Sequence, residues 1–417
     1  MHDNVSNSVQ QNIPTAEDEA ASTPINKRSR PSGHKIGRNI LRIMLMLLFL
    51  IGFVLSVLPW GRAIARSVLL LPALVAASQP APLIANGETV VHKQMTVPSR
   101  GGTVYLDVYE PQADVPLIKS ARSGVLIIPG AGDNRQVPQL INFSEALART
   151  GLVVMDMVTP TLINYDLSVQ DSDAVVQAFQ KLSHLPEMAG SRIGIISFSA
   201  GVPLACFGAV DSRIRDQVAY IAVFGGYFNT KSVLRAFGRR AIDIDGKTES
   251  WQPTEVPILV LTNVITKAFS SGERSRIYNA LAPGGIPLTS MQIAQLSPGA
   301  RAAYQLLTGT APDKVDVNIA ALPPMIQTEL DKLSPSRVIT QIRAPIFLLH
   351  DRNDSSLPVT ESRDFAAALT RLHHQHDYVE FHIFDHVQVR SNLQLNQELT
   401  DGIRLFTILK ELLLTAS

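Results

Sequence analysis

The stretch RIGIISFSAG, Arg192 to Gly201, closes an apolar run on two serines and a glycine. Such a run reads as a buried strand, and Gly201 opens a helix. A serine at a tight strand-to-helix turn holds its hydroxyl exposed as a nucleophile, provided the residues two before and two after it are small. Ser197 and Gly201 meet that need, which makes Ser199 the candidate nucleophile. The plainer alternative is that Ser199 caps the helix, its hydroxyl satisfied by a backbone N–H. A nucleophilic serine also needs a base to take its proton and an acid to hold that base in the right tautomer. HDRNDSSLP, after the run PIFLLH, offers Asp351 and Asp354, and DHVQVR, after YVEFHIF, offers His386. These residues fall at the carboxyl ends of predicted strands, where the ligand crevice of an open α/β sheet lies.

The elements that must position them alternate from Val90 onward. Residues 90–97 and 103–109 are β-rich and joined by Ser-Arg-Gly-Gly, which predicts a hairpin. Apolar strands follow at 124–128, 152–157, 192–197, 217–223, 345–350 and 378–384, with helical stretches near 136–150, 167–184, 200–209 and 391–415. Unbroken apolar strands alternating with helices predict a mostly parallel central sheet covered on both faces, with the hairpin as its antiparallel edge. The alternation lapses over 225–344, which reads as a helical insertion; within it VPILVLTNV, 256–264, fits a strand as well as a helix.

With these motifs in order, 90–417 resembles the α/β-hydrolase superfamily, particularly its dienelactone-hydrolase-like and peptidase-like serine esterases. In those relatives the acid loop reads roughly H-G-x-x-D-x-x-x-P, so the resemblance implies Asp354 as the acid, with Asp351 standing where glycine is usual. It implies His386, in the last loop, as general base; His350, His373, His374, His376 and His382 are worse placed, on strands or in a helix-end cluster. An oxyanion hole takes one N–H from the residue after the nucleophile, here Ala200, and one from the loop after an early strand. That loop is PGAGDNR, and Ala131 is the candidate donor, with Pro129 where relatives often carry histidine. The insertion at 225–344 falls where many relatives carry a cap that shapes the acyl or alcohol pocket. The resemblance thus implies an α/β-hydrolase fold and a carboxylesterase-like serine hydrolase that acts on a small ester or acyl substrate. An acyltransferase using the same triad, and a catalytically inactive binding module, remain as alternatives.

The rest of the sequence excludes other classes. With 37 basic and 36 acidic side chains the chain has no charge surplus suited to nucleic acid. PGAGDNR fits neither G-x-x-x-x-G-K-S/T nor G-x-G-x-x-G, against nucleotide binding. Cys206 is the only cysteine, so no internal disulfide or multi-cysteine zinc site forms, and the proposed chemistry needs no metal or organic cofactor. Residues 1–38 are polar and charged without apolar periodicity, a disordered tail. IMLMLLFLIGFVLSVLPW, Ile43 to Trp60, is long enough to span a bilayer, predicting a transmembrane helix over 39–60 with Trp60 at its interface. The basic residues preceding it place the N-terminus in the cytoplasm and the hydrolase domain outside; the alternative is secretion after cleavage near Ala77. Residues 61–89 read as a juxtamembrane linker with a short apolar segment.

Overall fold

The computed structural model describes residues 40–41, 43–48, 50, 52–53, 58–75, 78–112, 123–386, 388–390 and 394–416. The predicted tail 1–38 and the cleavage site near Ala77 lie outside them. Two compact units are present, one ending at Phe53 and the other running from Val54 onward. In the first, the described residues between 40 and 53 are helical and expose apolar side chains such as Ile43 and Leu47. Much of the predicted span, including 49, 51 and 54–57, lies outside the described residues, and among those described no helix is long and apolar enough to cross a membrane.

The second unit is built on one eight-stranded sheet. Its strands come from β1 (Thr89–Ser99), β2 (Gly102–Gln112), β3 (Gly124–Ile128), β4 (Val153–Val158), β5 (Ile193–Phe198), β6 (Val218–Phe224), β9 (Ile346–Asp351) and β10 (His376–Phe381). A separate hairpin supplies β7 (Ala241–Ile244) and β8 (Lys247–Ser250). The sheet order is β1-β2-β4-β3-β5-β6-β9-β10, with β1 and β2 antiparallel at one edge and the rest parallel from β4 onward. The expected hairpin and mostly parallel sheet are both present.

The central parallel strands β3, β4, β5, β6 and β9 are buried on both faces, whereas the edge strand β10 is only partly covered. Along β3, Leu126 and Ile128 enter one core and Val125 and Ile127 the other, as a two-residue side-chain period requires. The helices are α1 (Pro59–Val75), α2 (Ala81–Asn86), α3 (Pro138–Arg149), α4 (Ser172–Ser183), α5 (Val202–Ala209), α6 (Thr230–Arg239), α7 (Glu255–Thr266), α8 (Ser271–Leu281), α9 (Ser290–Ala294), α10 (Pro298–Thr308), α11 (Val315–Ala321), α12 (Pro324–Lys332), α13 (Val359–Arg371) and α14 (Leu395–Ala416). Helices α4, α5 and α13 pack into one core with the insertion; α1, α3 and α14 pack into the other.

One expectation is corrected and one open reading is resolved. Residues 61–89 are not a linker: α1 packs against α14 and α3, burying Ala63, Leu70 and Ala73, and Trp60 belongs to this helix. The segment 256–264 is helical, lying within α7. The insertion between β6 and β9 is otherwise helical as read, from α6 to α12, apart from the β7–β8 hairpin.

Candidate active site

Strand β5 delivers its chain to a turn that only a few residues tolerate. Ser199 takes φ 49°, a left-handed conformation that costs a non-glycine residue of order 1–3 kcal/mol. Gly201 is required for the same turn: a Cβ there would lie 2.5 Å from Pro129 O and 2.7 Å from Ile128 O. Ser197, in the position that relatives fill with glycine, is buried and donates from its hydroxyl to Ala222 O at 3.3 Å. The helix-cap alternative fails, since Phe198 occupies the cap position and Ser199 Oγ has no hydrogen-bond partner among the described residues.

Asp354 and His386 meet although 32 positions separate them. His386 Nδ1 lies 2.8 Å from Asp354 Oδ2. The other carboxylate oxygen, Oδ1, accepts the N–H groups of Ser356 at 2.7 Å and Leu357 at 2.9 Å, so the acid is fixed before the histidine reaches it. Burial opposes the charge of Asp354, but the His386 charge and hydrogen bonds from His350 and His386 hold its carboxyl well below the usual range. Burial likewise opposes the His386 cation, yet the charge and hydrogen bond of Asp354 win and raise the imidazole above its ordinary value.

Asp351 has another job. Its Oδ1 accepts Asn353 N–H and its Oδ2 accepts Phe384 N–H, each at 2.8 Å, which ties the acid loop to the segment carrying His386. Ser355 Oγ donates to Asp385 Oδ1 at 2.8 Å and adds a second tie.

Three contributors were not anticipated. His350, fully buried, places Nε2 3.2 Å from Asp354 Oδ2, with Nδ1 2.7 Å from Ser362 Oγ. Trp251, from the insertion, donates its indole N–H to Asp354 O at 2.8 Å. Gly225, at φ 56°, leaves room for the pair, since a Cβ there would stand 3.0 Å from His386 Nδ1 and 3.2 Å from Asp354 Oδ2. The histidine of HDRND was a visible signal for the first; the other two depend on contacts between distant parts of the chain.

Ser199, His386, Ala131 and Ala200 line one cavity of about 420 Å³. Helix α7 lines it through Val256, Pro257, Val260, Leu261 and Val264, so the insertion contributes to the same cavity as the serine. Among the described residues no cluster of histidine, cysteine and carboxylate side chains is arranged to hold a metal ion.

The sheet order, the antiparallel β2 and the serine turn after β5 constitute an α/β-hydrolase fold. No protein-family model and no curated protein matches the chain. Among solved structures it is similar, at 12% identity, to dipeptidyl peptidase 4 of Porphyromonas gingivalis (76% of this chain, 35% of that one, TM-score 0.44). It is also similar to Pyrococcus horikoshii acylaminoacyl peptidase at 12% identity (73% and 39%, TM-score 0.42). A third similar structure is 2,6-dihydroxy-pseudo-oxynicotine hydrolase at 14% identity (81% and 70%, TM-score 0.43). The matched region thus spans less than half the length of either peptidase.

Proposed function

We propose that this protein is a serine hydrolase that cleaves a carboxylic ester with an apolar acyl or alcohol group. The observation that carries this reading is an unpartnered Ser199 hydroxyl at a left-handed turn, opening on the same apolar cavity as a histidine anchored by a buried carboxylate. Ser199 Oγ attacks the carbonyl carbon as its proton passes to His386 Nε2. Asp354, bonded to Nδ1, keeps Nε2 as the accepting atom and stabilises the imidazolium. The N–H groups of Ala131 and Ala200 receive the oxyanion; His386 then protonates the leaving alcohol, and water hydrolyses the acyl-enzyme by the same steps reversed. The apolar wall of α7 favours an uncharged chain beside the carbonyl. Ester is preferred to amide, and water to another acyl acceptor, as the least demanding chemistry for this triad.

The membrane placement read from 39–60, with the hydrolase domain extracytoplasmic, belongs to the same proposal. The test of the activity is hydrolysis of p-nitrophenyl esters of graded chain length by the full chain and by Ser199→Ala. The variant should lose about 10³-fold or more of kcat while the wild type shows a chain-length optimum. Equal rates in the two proteins would refute Ser199 as nucleophile; turnover of peptide anilides in preference to esters would move the reading to a peptidase.

A further inference from the structure

One side chain governs the direction of the loop that follows β3. Asn134 Nδ2 donates to Gly130 O at 2.9 Å and to Gly132 O at 3.1 Å. Both partners are carbonyls, so the atom that faces them is the amide nitrogen. In a trans peptide the C=O and the next N–H point to opposite sides. Holding Gly130 O toward Asn134 therefore turns the Ala131 N–H the other way, and that N–H has no backbone partner among the described residues. The next peptide is pinned independently, with Gly132 N–H donating to Leu162 O at 2.7 Å. Gly130 packs so close to the serine that a Cβ there would lie 3.2 Å from Ser199 Cβ. Two glycines flank Ala131, and such a segment rotates its peptides freely unless something outside the backbone holds them.

We propose that Asn134 is a positioning residue of the oxyanion hole, orienting the Gly130–Ala131 peptide so that the Ala131 N–H meets the oxygen of the carbonyl attacked by Ser199. The proposal rests on the serine-hydrolase reading. As Ser199 Oγ bonds to the carbonyl carbon and its proton moves to His386, the carbonyl π pair becomes an oxyanion lone pair, bound by Ala131 and Ala200. Asn134 stays on the opposite side of the peptide and forms no bond to substrate.

The test compares the full-length wild type with Asn134→Ala, the nearly isosteric Asn134→Asp and Ser199→Ala. The readouts are kcat and KM for p-nitrophenyl butyrate, the rate of labelling by a fluorophosphonate, and thermal melting. Removing an oxyanion donor outright costs about 10²–10³ in kcat, and misorienting one should cost about 10–100-fold with KM within about twofold. Labelling, which builds a tetrahedral adduct in the same hole, should slow in parallel. Asn134→Asp should be no better than Asn134→Ala, because its carboxylate faces two carbonyl oxygens. A raised KM at unchanged kcat would make Asn134 a substrate contact, and unchanged kinetics would remove its role; either overturns the proposal. So would a loss of kcat that tracks a large drop in melting temperature in both variants. An inert Ser199→Ala beside fully active Asn134 variants would sink this proposal alone, whereas an active Ser199→Ala would sink the hydrolase reading beneath it.

Discussion

His386 is held by a carboxylate that has little freedom of its own. Asp354 receives two backbone N–H groups on one oxygen and two imidazoles on the other. This has a consequence for the pH profile. The base must be neutral to accept the serine proton, so kcat/KM should rise with pH through the His386 pKa, which Asp354 raises against the opposing effect of burial. Asp354→Asn removes the charge that raises it. We expect the midpoint of the acid limb to move to lower pH and the plateau to fall by about 10⁴-fold. A midpoint unmoved in the variant would show that another group sets the limb. Ser199, Asp354 and His386 stand out because each lies in a short motif at a strand end, and the structure brings Asp354 and His386 together. His350 was visible but dismissed as a strand residue, and its place beside Asp354 appears only once the loop after β9 folds back. Nothing local marks Gly225 or Trp251, which reach the pair from the end of β6 and from the insertion.

The central strands β3, β4, β5, β6 and β9 were legible to within one residue because two-sided burial leaves continuous apolar runs, whereas β2 and β10, nearer the sheet edges, each end three residues from the predicted bound. Helix α7 was ambiguous for the same reason: one end of it is buried, so periodicity cannot distinguish helix from strand. The β7–β8 hairpin was missed although its Asp245-Gly246 turn, with φ of 51° and 76°, carries a known hairpin signal. One of the joints between the insertion and the sheet domain is a buried carboxylate. Glu361, buried near the start of α13, accepts the N–H groups of Phe228 at 3.0 Å and Asn229 at 2.8 Å, and the Ser232 hydroxyl, at the start of α6. Burial pushes its carboxyl up to about 7, outweighing these hydrogen bonds. A folded pKa above the unfolded value contributes stability that is full below the unfolded pKa and lost as pH rises through the folded one. Glu361→Gln keeps the acceptor without titrating, so relative to it the wild type should lose melting temperature between about pH 4.5 and 7. Parallel curves across that window would refute the assignment. Glu361→Ala, which leaves both N–H groups unpaired, should cost about 2–5 kcal/mol below about pH 4.5, and less as pH rises through the window in which the wild type itself loses stability.

At the scale of the molecule, α1 is part of the packing of the second unit. Removing 58–89 uncovers the faces of α3 and α14 that Leu70, Ala73 and Leu83 cover. At about 1.5–3 kcal/mol for each large apolar side chain, this loss rivals the stability of a typical domain. A chain starting at Leu58 should therefore stay folded and active, while one starting at Val90 should aggregate; equal solubility would show α1 to be dispensable. In the same experiment, if 39–60 anchors the protein, the full chain should sediment with membranes and the chain from Leu58 should not. The apolar runs up to Trp60 and after Ser67 stand out in the sequence, whereas the partner of α1 does not, because α14 lies more than 300 residues away in the chain. That pairing also orders events in time. A ribosome releases Ser199 long before His386, and α1 waits for α14. The growing polypeptide therefore carries Ser199 without His386, and an uncovered sheet face, until α14 has been made, which leaves chaperones a long interval in which to hold it.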